Sequence, residues 1–225
     1  MDLQIIKAIL HKAGFVRIHD ILLWMWNDFQ AVSYIFNKQF LLKEDFPVDQ
    51  KPDPHTHNRR CALPEPYPEP RVTAPNLYFA RLLLEDYCGG ISEMTAINQY
   101  LYHSFTFQSL PELAELEECI SIIEMKHVKL LAETIQQLGL APEFRVLSGN
   151  LPVYWSASSV YYGYDINDKL DADIAAEIQA IENYRLHQRL IDDPFIKKLL
   201  ERIIIDEEYH VKLFRDAKAK YCRRG

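Results

Sequence analysis

The chain has 225 residues, a net charge of -7, 48% hydrophobic residues and only 7 glycines. The acidity argues against a general affinity for nucleic acid, and the length allows one substantial core with added elements, or two small domains. Few glycines and long stretches rich in Leu, Ile, Ala, Glu, Lys and Gln predict a mostly helical protein.

Residues 1–45 read as an N-terminal helical extension. Within it, "ILLWMWNDFQAVSYIF" (21–36) is the most apolar stretch. Asn27, Asp28 and Gln30 interrupt it, and it is too short to span a bilayer. It is expected to pack on its own protein or on a second copy in a homo-oligomer, with no membrane span. No basic stretch followed by an apolar run opens the chain, so no secretion signal is read. Residues 46–75 hold most of the twelve prolines and should form an extended connector. Cys61 lies in that connector; Cys88, Cys119 and Cys222 follow, with no CxxC pair. This spacing argues against a zinc ribbon, a rubredoxin-type iron site or a disulfide framework, and it suits a reducing cytoplasm.

From 76 to 225 the pattern predicts a four-helix bundle, with helices at about 76–107, 111–139, 168–192 and 194–222. Pro111 and Pro194 each stand at a helix start, where a missing N–H costs little. Gly139 followed by Pro142 closes the second helix. Residues 140–167 form a long aromatic crossover between the second and third helices. The expected fold class is all-α: a four-helix bundle with that crossover, plus the N-terminal extension.

In the fourth helix, Ile196, Leu200, Ile203, Glu207, His210, Phe214, Ala217 and Tyr221 follow alternating steps of three and four. Glu207 and His210 therefore face the core, with Asp206 and Glu208 flanking. The second helix repeats this with Leu113, Glu117, Ile120, Glu124, His127, Leu131, Thr134 and Leu138. Both contain Glu-x-x-His, which puts a carboxylate and an imidazole one turn apart on the same face. The other two helices also match each other: "EMTAINQYLYH" (93–103) and "EIQAIENYRLH" (177–187) share Glu, Ala, Ile, Tyr and His at identical offsets. Glu93 and Glu177, with Tyr100 and Tyr184, occupy equivalent inward places, so the bundle is two copies of one hairpin.

Heights along the helices agree. Measured from turns near Ser109 and Asp193, all four glutamates lie roughly 23 Å up the bundle at 1.5 Å per residue. Four buried carboxylates could not all ionise without cations. Two divalent metals would neutralise them, and His127 and His210 would complete the shells as neutral donors.

On these motifs residues 76–220 resemble the ferritin-like di-metal carboxylate superfamily. "SEMTAINQYLYH" is similar to the first metal-ligand helix of bacterioferritins. "YWSASSVYYGYDINDKLDADIAAEIQAIENY" and "DDPFIKKLLERIIIDEEYH" look more like manganese catalases and the related catalase-like spore-coat proteins, which share the tryptophan-containing crossover, the "DIAAE" motif and the "DDP" turn. The resemblance implies Glu93, Glu124, His127, Glu177 and His210 as metal ligands. It implies Glu207 as a ligand in di-iron members and as a proton-transfer group in manganese catalases. Tyr100 would be a hydrogen-bond donor beside the ligands, and Tyr184 its pseudo-symmetric twin. His103 and His187 are expected off the ligand face. Two departures stand out: Ala176, where manganese catalases tend to have Arg, and Ala180, where rubrerythrins carry a further Glu.

The function these residues and the resemblance imply is that of a dinuclear Mn or Fe redox enzyme acting on peroxide. Manganese-catalase-like disproportionation to water and O2, with Glu207 and Tyr100 in the catalytic set, is the first expectation. The alternative is a di-iron bacterioferritin- or rubrerythrin-like oxidase or peroxide reductase using O2 or peroxide and a separate reductase, or a non-catalytic iron-binding or coat protein. The expected location is cytoplasmic, with the spore coat as the family's other location.

Overall fold

The structure, a computed structural model, describes residues 61–149 and 151–222. The helical extension expected over 1–45, with its apolar stretch 21–36, and the connector up to residue 60 lie outside the described residues.

Residues 61–75 contain no regular element, as the prolines require. Five helices follow among the described residues: α1 (Leu77–Cys88), α2 (Glu93–Thr106), α3 (Pro111–Gln137), α4 (Ile166–Leu190) and α5 (Pro194–Tyr221). Local chemistry sets their starts. Asn76, Ser92, Asp165 and Asp193 each accept hydrogen bonds from the first backbone N–H groups of the helix they precede, while Pro111 and Pro194 occupy first positions.

The first expected helix, 76–107, is two helices. Gly89 ends α1 with its N–H on Glu85 O, and a Cβ there would sit 2.6 Å from that same carbonyl oxygen. Ser92 then restarts the helix as the N-cap of α2. Glu93 thereby becomes the first residue of α2, at the positive end of its dipole. The crossover also differs from the loop expected. It folds into a two-stranded antiparallel hairpin, β1 (Arg145–Ser148) and β2 (Leu151–Tyr154), followed by a 3-10 turn, Ala157–Ser159. Trp155 after β2 donates from its indole to Thr95 Oγ1 at 3.0 Å, docking the crossover onto α2.

Two apolar clusters sandwich an ionisable band. Leu113, Leu116 and Ile120 of α3 join Tyr100, Leu170 and Phe214 at one end. Leu131, Ile135 and Leu138 join Tyr184, Ile196, Leu200 and Ile203 at the other. The inward stripes of α3 and α5 are interrupted between these clusters by Glu124 and His127, and by Glu207 and His210, all of them buried.

The connector is strapped across the bundle. Thr73 N–H donates to Asp193 Oδ2 at 2.7 Å, Arg202 donates to the carbonyls of Glu65 and Leu63, and Asn76 N–H meets Leu138 O at 3.0 Å. One sequence expectation is overturned: Cys61 of the strap is disulfide-bonded to Cys119 of α3, with a sequence separation of 58. Partners so far apart leave no spacing signal, because only the folded strap brings them together. No helix among the described residues is long and apolar enough to cross a membrane.

Asp193 is 2% exposed and serves twice, capping α5 through Phe195 and Ile196 N–H and holding Thr73. Asp193→Ala should destabilise the chain by about 1–2 kcal/mol, as a lost cap plus a lost charged hydrogen bond. Urea unfolding with metal content measured in parallel checks this; the metal content should not change.

Candidate metal centre

Helix α2 brings Glu93, α3 brings Glu124 and His127, α4 brings Glu177, and α5 brings Glu207 and His210. All six are at most 4% exposed. The structure gathers them into two groups of four: Glu93, Glu124, His127 and Glu207, and Glu124, Glu177, Glu207 and His210. In each, one donor atom per residue lies within 4.8 Å of the others. Glu124 and Glu207 belong to both groups.

The shared residues span the centre symmetrically. Glu124 places Oε2 2.8 Å from His127 Nδ1 and Oε1 2.9 Å from His210 Nδ1. Glu207 places Oε1 3.1 Å from His127 Nδ1 and Oε2 2.9 Å from His210 Nδ1. Glu93 lies 3.5 Å from the first imidazole and Glu177 3.6 Å from the second. Such an arrangement can hold two cations, with one terminal carboxylate and one imidazole each and two carboxylates between them.

The electrostatics show what a cation would relieve. Burial first, then the charges of Glu207 and Glu124, push the Glu93 and Glu177 carboxyls well above the usual range. Burial also disfavours a charged Glu124, but the His210 and His127 imidazoles outweigh it and hold that carboxyl below its ordinary value. His127 and His210 lose basicity by burial and regain more from the surrounding carboxylates, ending well above the usual imidazole range. Glu124 Oε1 and Glu207 Oε1 are buried and, although 2.9 and 3.1 Å from an imidazole nitrogen, lack a well-directed hydrogen bond among the described residues. Orphaned carboxylate oxygens in a set of four glutamates and two histidines fit divalent metal ions.

Several supporting residues carry no recognisable sequence signal. Asp206, expected only to flank the stripe, is 0% exposed. Its Oδ2 lies 3.3 Å from His127 Nε2 and 2.7 Å from the Arg202 guanidinium, and it accepts from the Tyr67 hydroxyl and from Leu63 N–H. Burial opposes its charge, yet the bonds to His127, Arg202, Tyr67 and Leu63 prevail and bring its pKa down to about 2. An ionised Asp206 fixes His127 with Nε2–H outward and Nδ1 toward the glutamates. His210 is fixed likewise, with Nε2 2.8 Å from the Cys61 carbonyl. Residues 61–67, read from sequence as mere connector, thus orient both histidines.

The two tyrosines exchange partners across the hairpins. Tyr100 donates to Glu177 Oε1 at 2.7 Å, and Tyr184 donates to Glu93 Oε1. Burial, and then the adjacent carboxylates, raise both phenols well above their usual pKa, so each remains a donor. His103 and His187 are off the centre as expected, but both are buried, paired with Asp173 and Asp86.

A cavity of about 80 Å³ leads to Glu93, Glu177 and Glu207. Its walls include Ala96, Ala176 and Ala180, so both departures noted in the sequence line the approach. It has room for a few water-sized molecules and none for a bulky organic substrate.

The profile of the manganese containing catalase family matches residues 67–148, which include the first hairpin. A probable manganese catalase from Clostridium acetobutylicum is 31% identical over 173 residues, covering 69% of this chain and 76% of that protein. A bacterioferritin from Mycobacterium leprae is 31% identical over 125 residues, covering 53% and 72%. The crystal structure of a manganese catalase from Anabaena superposes with a TM-score of 0.64 at 27% identity, covering 70% of this chain and 78% of that one. None of these three is named a coat protein.

Proposed function

The chain belongs to the ferritin-like superfamily of dinuclear-metal carboxylate proteins, and on that footing we propose that it disproportionates hydrogen peroxide as manganese catalases do. The observation that carries the proposal is the pair of donor groups sharing Glu124 and Glu207 beneath a cavity sized for peroxide. Glu93, Glu124, His127, Glu177, Glu207 and His210 would hold two Mn or Fe ions. Bound there, the pair would give two electrons to one peroxide, making water, and take two from the next, releasing O2.

The residues supply position and protons. Reduction of one peroxide consumes two protons and oxidation of the next returns two, so a carboxylate that holds one of them locally between the halves serves both. Glu207 lines the cavity and has an unpaired buried oxygen, and we assign it that task. Tyr100 holds Glu177 in place and is a positioning residue. The closed apolar ends of the bundle exclude bulk water from the centre.

A second reading is a di-iron oxidase. The placement of Glu207 favours it, since that carboxylate bridges the two histidines as fully as Glu124 does. Protein from manganese- and iron-supplemented cultures separates the two readings. Steady O2 evolution from peroxide by the manganese form, abolished in Glu177→Ala, supports disproportionation. Consumption of O2 or peroxide by the iron form only when a reductant is present, with no O2 evolved by either form, supports the oxidase. A hollow-shell particle mass with no turnover would support storage.

A further inference from the structure

A second cluster of metal-ligating type lies outside the dinuclear centre. His103 of α2, Glu117 of α3 and Asp173 of α4 are all 0% exposed. Each offers one donor atom, and these atoms lie within 4.8 Å of one another. His103 Nδ1 is 2.9 Å from Asp173 Oδ2, and Gln99 donates to Asp173 Oδ1 at 2.8 Å. Both carboxylate oxygens of Glu117 are buried with no hydrogen-bond partner among the described residues.

The imidazole is presented as His210 is. His103 Nε2 lies 2.9 Å from the Tyr161 carbonyl, and a carbonyl accepts only from N–H. That contact assigns the proton to Nε2 and directs Nδ1 at the two carboxylates, the orientation that ligating histidines take. The pseudo-symmetric position provides a contrast. There His187 Nδ1 meets Asp86 at 2.7 Å, and no third acid or histidine joins them in a metal-sized group among the described residues. An imidazole–carboxylate pair is therefore complete on its own, and Glu117 is surplus to it.

Nearby positive charge compensates Glu117 only in part. The Lys169 ammonium is engaged with Thr106 Oγ1 at 2.8 Å and lies 5.3 Å from the centre of the Phe107 ring. Burial, and then the charge and close approach of Asp173, push the Glu117 carboxyl well above its ordinary range, and the Lys169 ammonium offsets only a lesser part of this.

We propose that His103 Nδ1, Glu117 and Asp173 form a third, mononuclear metal position, taking one first-row divalent cation such as Mn(II), Fe(II) or Zn(II). Two carboxylates balance the ion's charge, and one imidazole with two carboxylates suits borderline metals better than Ca(II) or Mg(II). Glu117 is seven residues before Glu124, so the position lies about 10 Å along the bundle from the dinuclear pair. Its donors come from both hairpins, so the ion ties one hairpin to the other whatever reaction the pair performs.

The test is the anomalous scattering of crystals of the full chain, loaded with Mn(II) and desalted. The expected result is a peak bounded by His103, Glu117 and Asp173, separate from the dinuclear peaks. In Glu117→Leu that peak alone should vanish, with metal content falling by one ion per chain. A wild-type map with no peak there, and Glu117 hydrogen-bonded to Asp173 as a shared-proton pair, overturns the proposal. A peak that survives in Glu117→Leu overturns Glu117 as a ligand. Should the variant not fold, the wild-type map decides. Because the peaks are located, failure here is distinct from failure of the dinuclear centre.

Discussion

Replacing Glu124 with alanine should empty both positions of the dinuclear centre, whereas Glu93→Ala should weaken chiefly one. Glu124 belongs to both four-residue groups, with its two oxygens 2.8 and 2.9 Å from the two histidines, while Glu93 belongs to only one. Loss of a partner that merely orients a ligand costs roughly 10–100-fold in metal affinity, and loss of a carboxylate shared by two ions should exceed this at each. Metal content after desalting is the measurement. Glu124→Ala should lose two ions per chain relative to wild type, and Glu93→Ala should lose one. Equal, single losses in the two variants would show that Glu124 does not bridge. The alanine also leaves His127 and His210 without the buried carboxylate that pairs with both, so thermal unfolding is recorded beside metal content to confirm that the variant is folded.

The centre was legible because its signal is periodic. Glu-x-x-His at 124–127 and 207–210 interrupts apolar stripes at a single height, and nothing local to a helix makes that pattern favourable without a ligand. The supporting residues were not legible because their burial depends on a segment distant in sequence. Asp206 lies off the inward stripe of α5 and would be exposed on a bare helix; Leu63 and Tyr67 of the strap cover it. The proline-rich stretch has no periodicity to show which of its side chains turn inward, so Tyr67 and the Cys61 carbonyl could not be foreseen. The break in the first helix did leave a trace. "CGGISE" carries both the glycines that stop α1 and the serine that caps α2, but the strength of the flanking helical pattern outweighed it.

Stripping the metals should lower stability by several kcal/mol, and by more as the pH rises. Each ion present at 100 times its dissociation constant contributes about 2.7 kcal/mol, so two contribute roughly 5 kcal/mol. In a domain of this size that corresponds to a fall of about 10–20 °C in melting temperature on chelation. The pH dependence follows from the metal-free centre. Glu93 and Glu177 have raised carboxyl pKa values, so their favourable contribution is present in acid and is lost as pH rises above the ordinary carboxylate range. His127 and His210 are also raised; the stability they contribute is complete below about 6.5, the ordinary imidazole value, and is lost as pH rises through their higher folded values. Glu124 runs the other way, losing its contribution only in acid, as pH falls through its depressed folded value. Above pH 6 the first four groups therefore set the trend, and the metal-free chain weakens while bound cations keep the same donors deprotonated without penalty. Melting curves with and without chelator at pH 6 and pH 8 should show the wider gap at pH 8. A gap that narrowed with pH would mean that the acids and imidazoles of this centre do not exchange protons for metal.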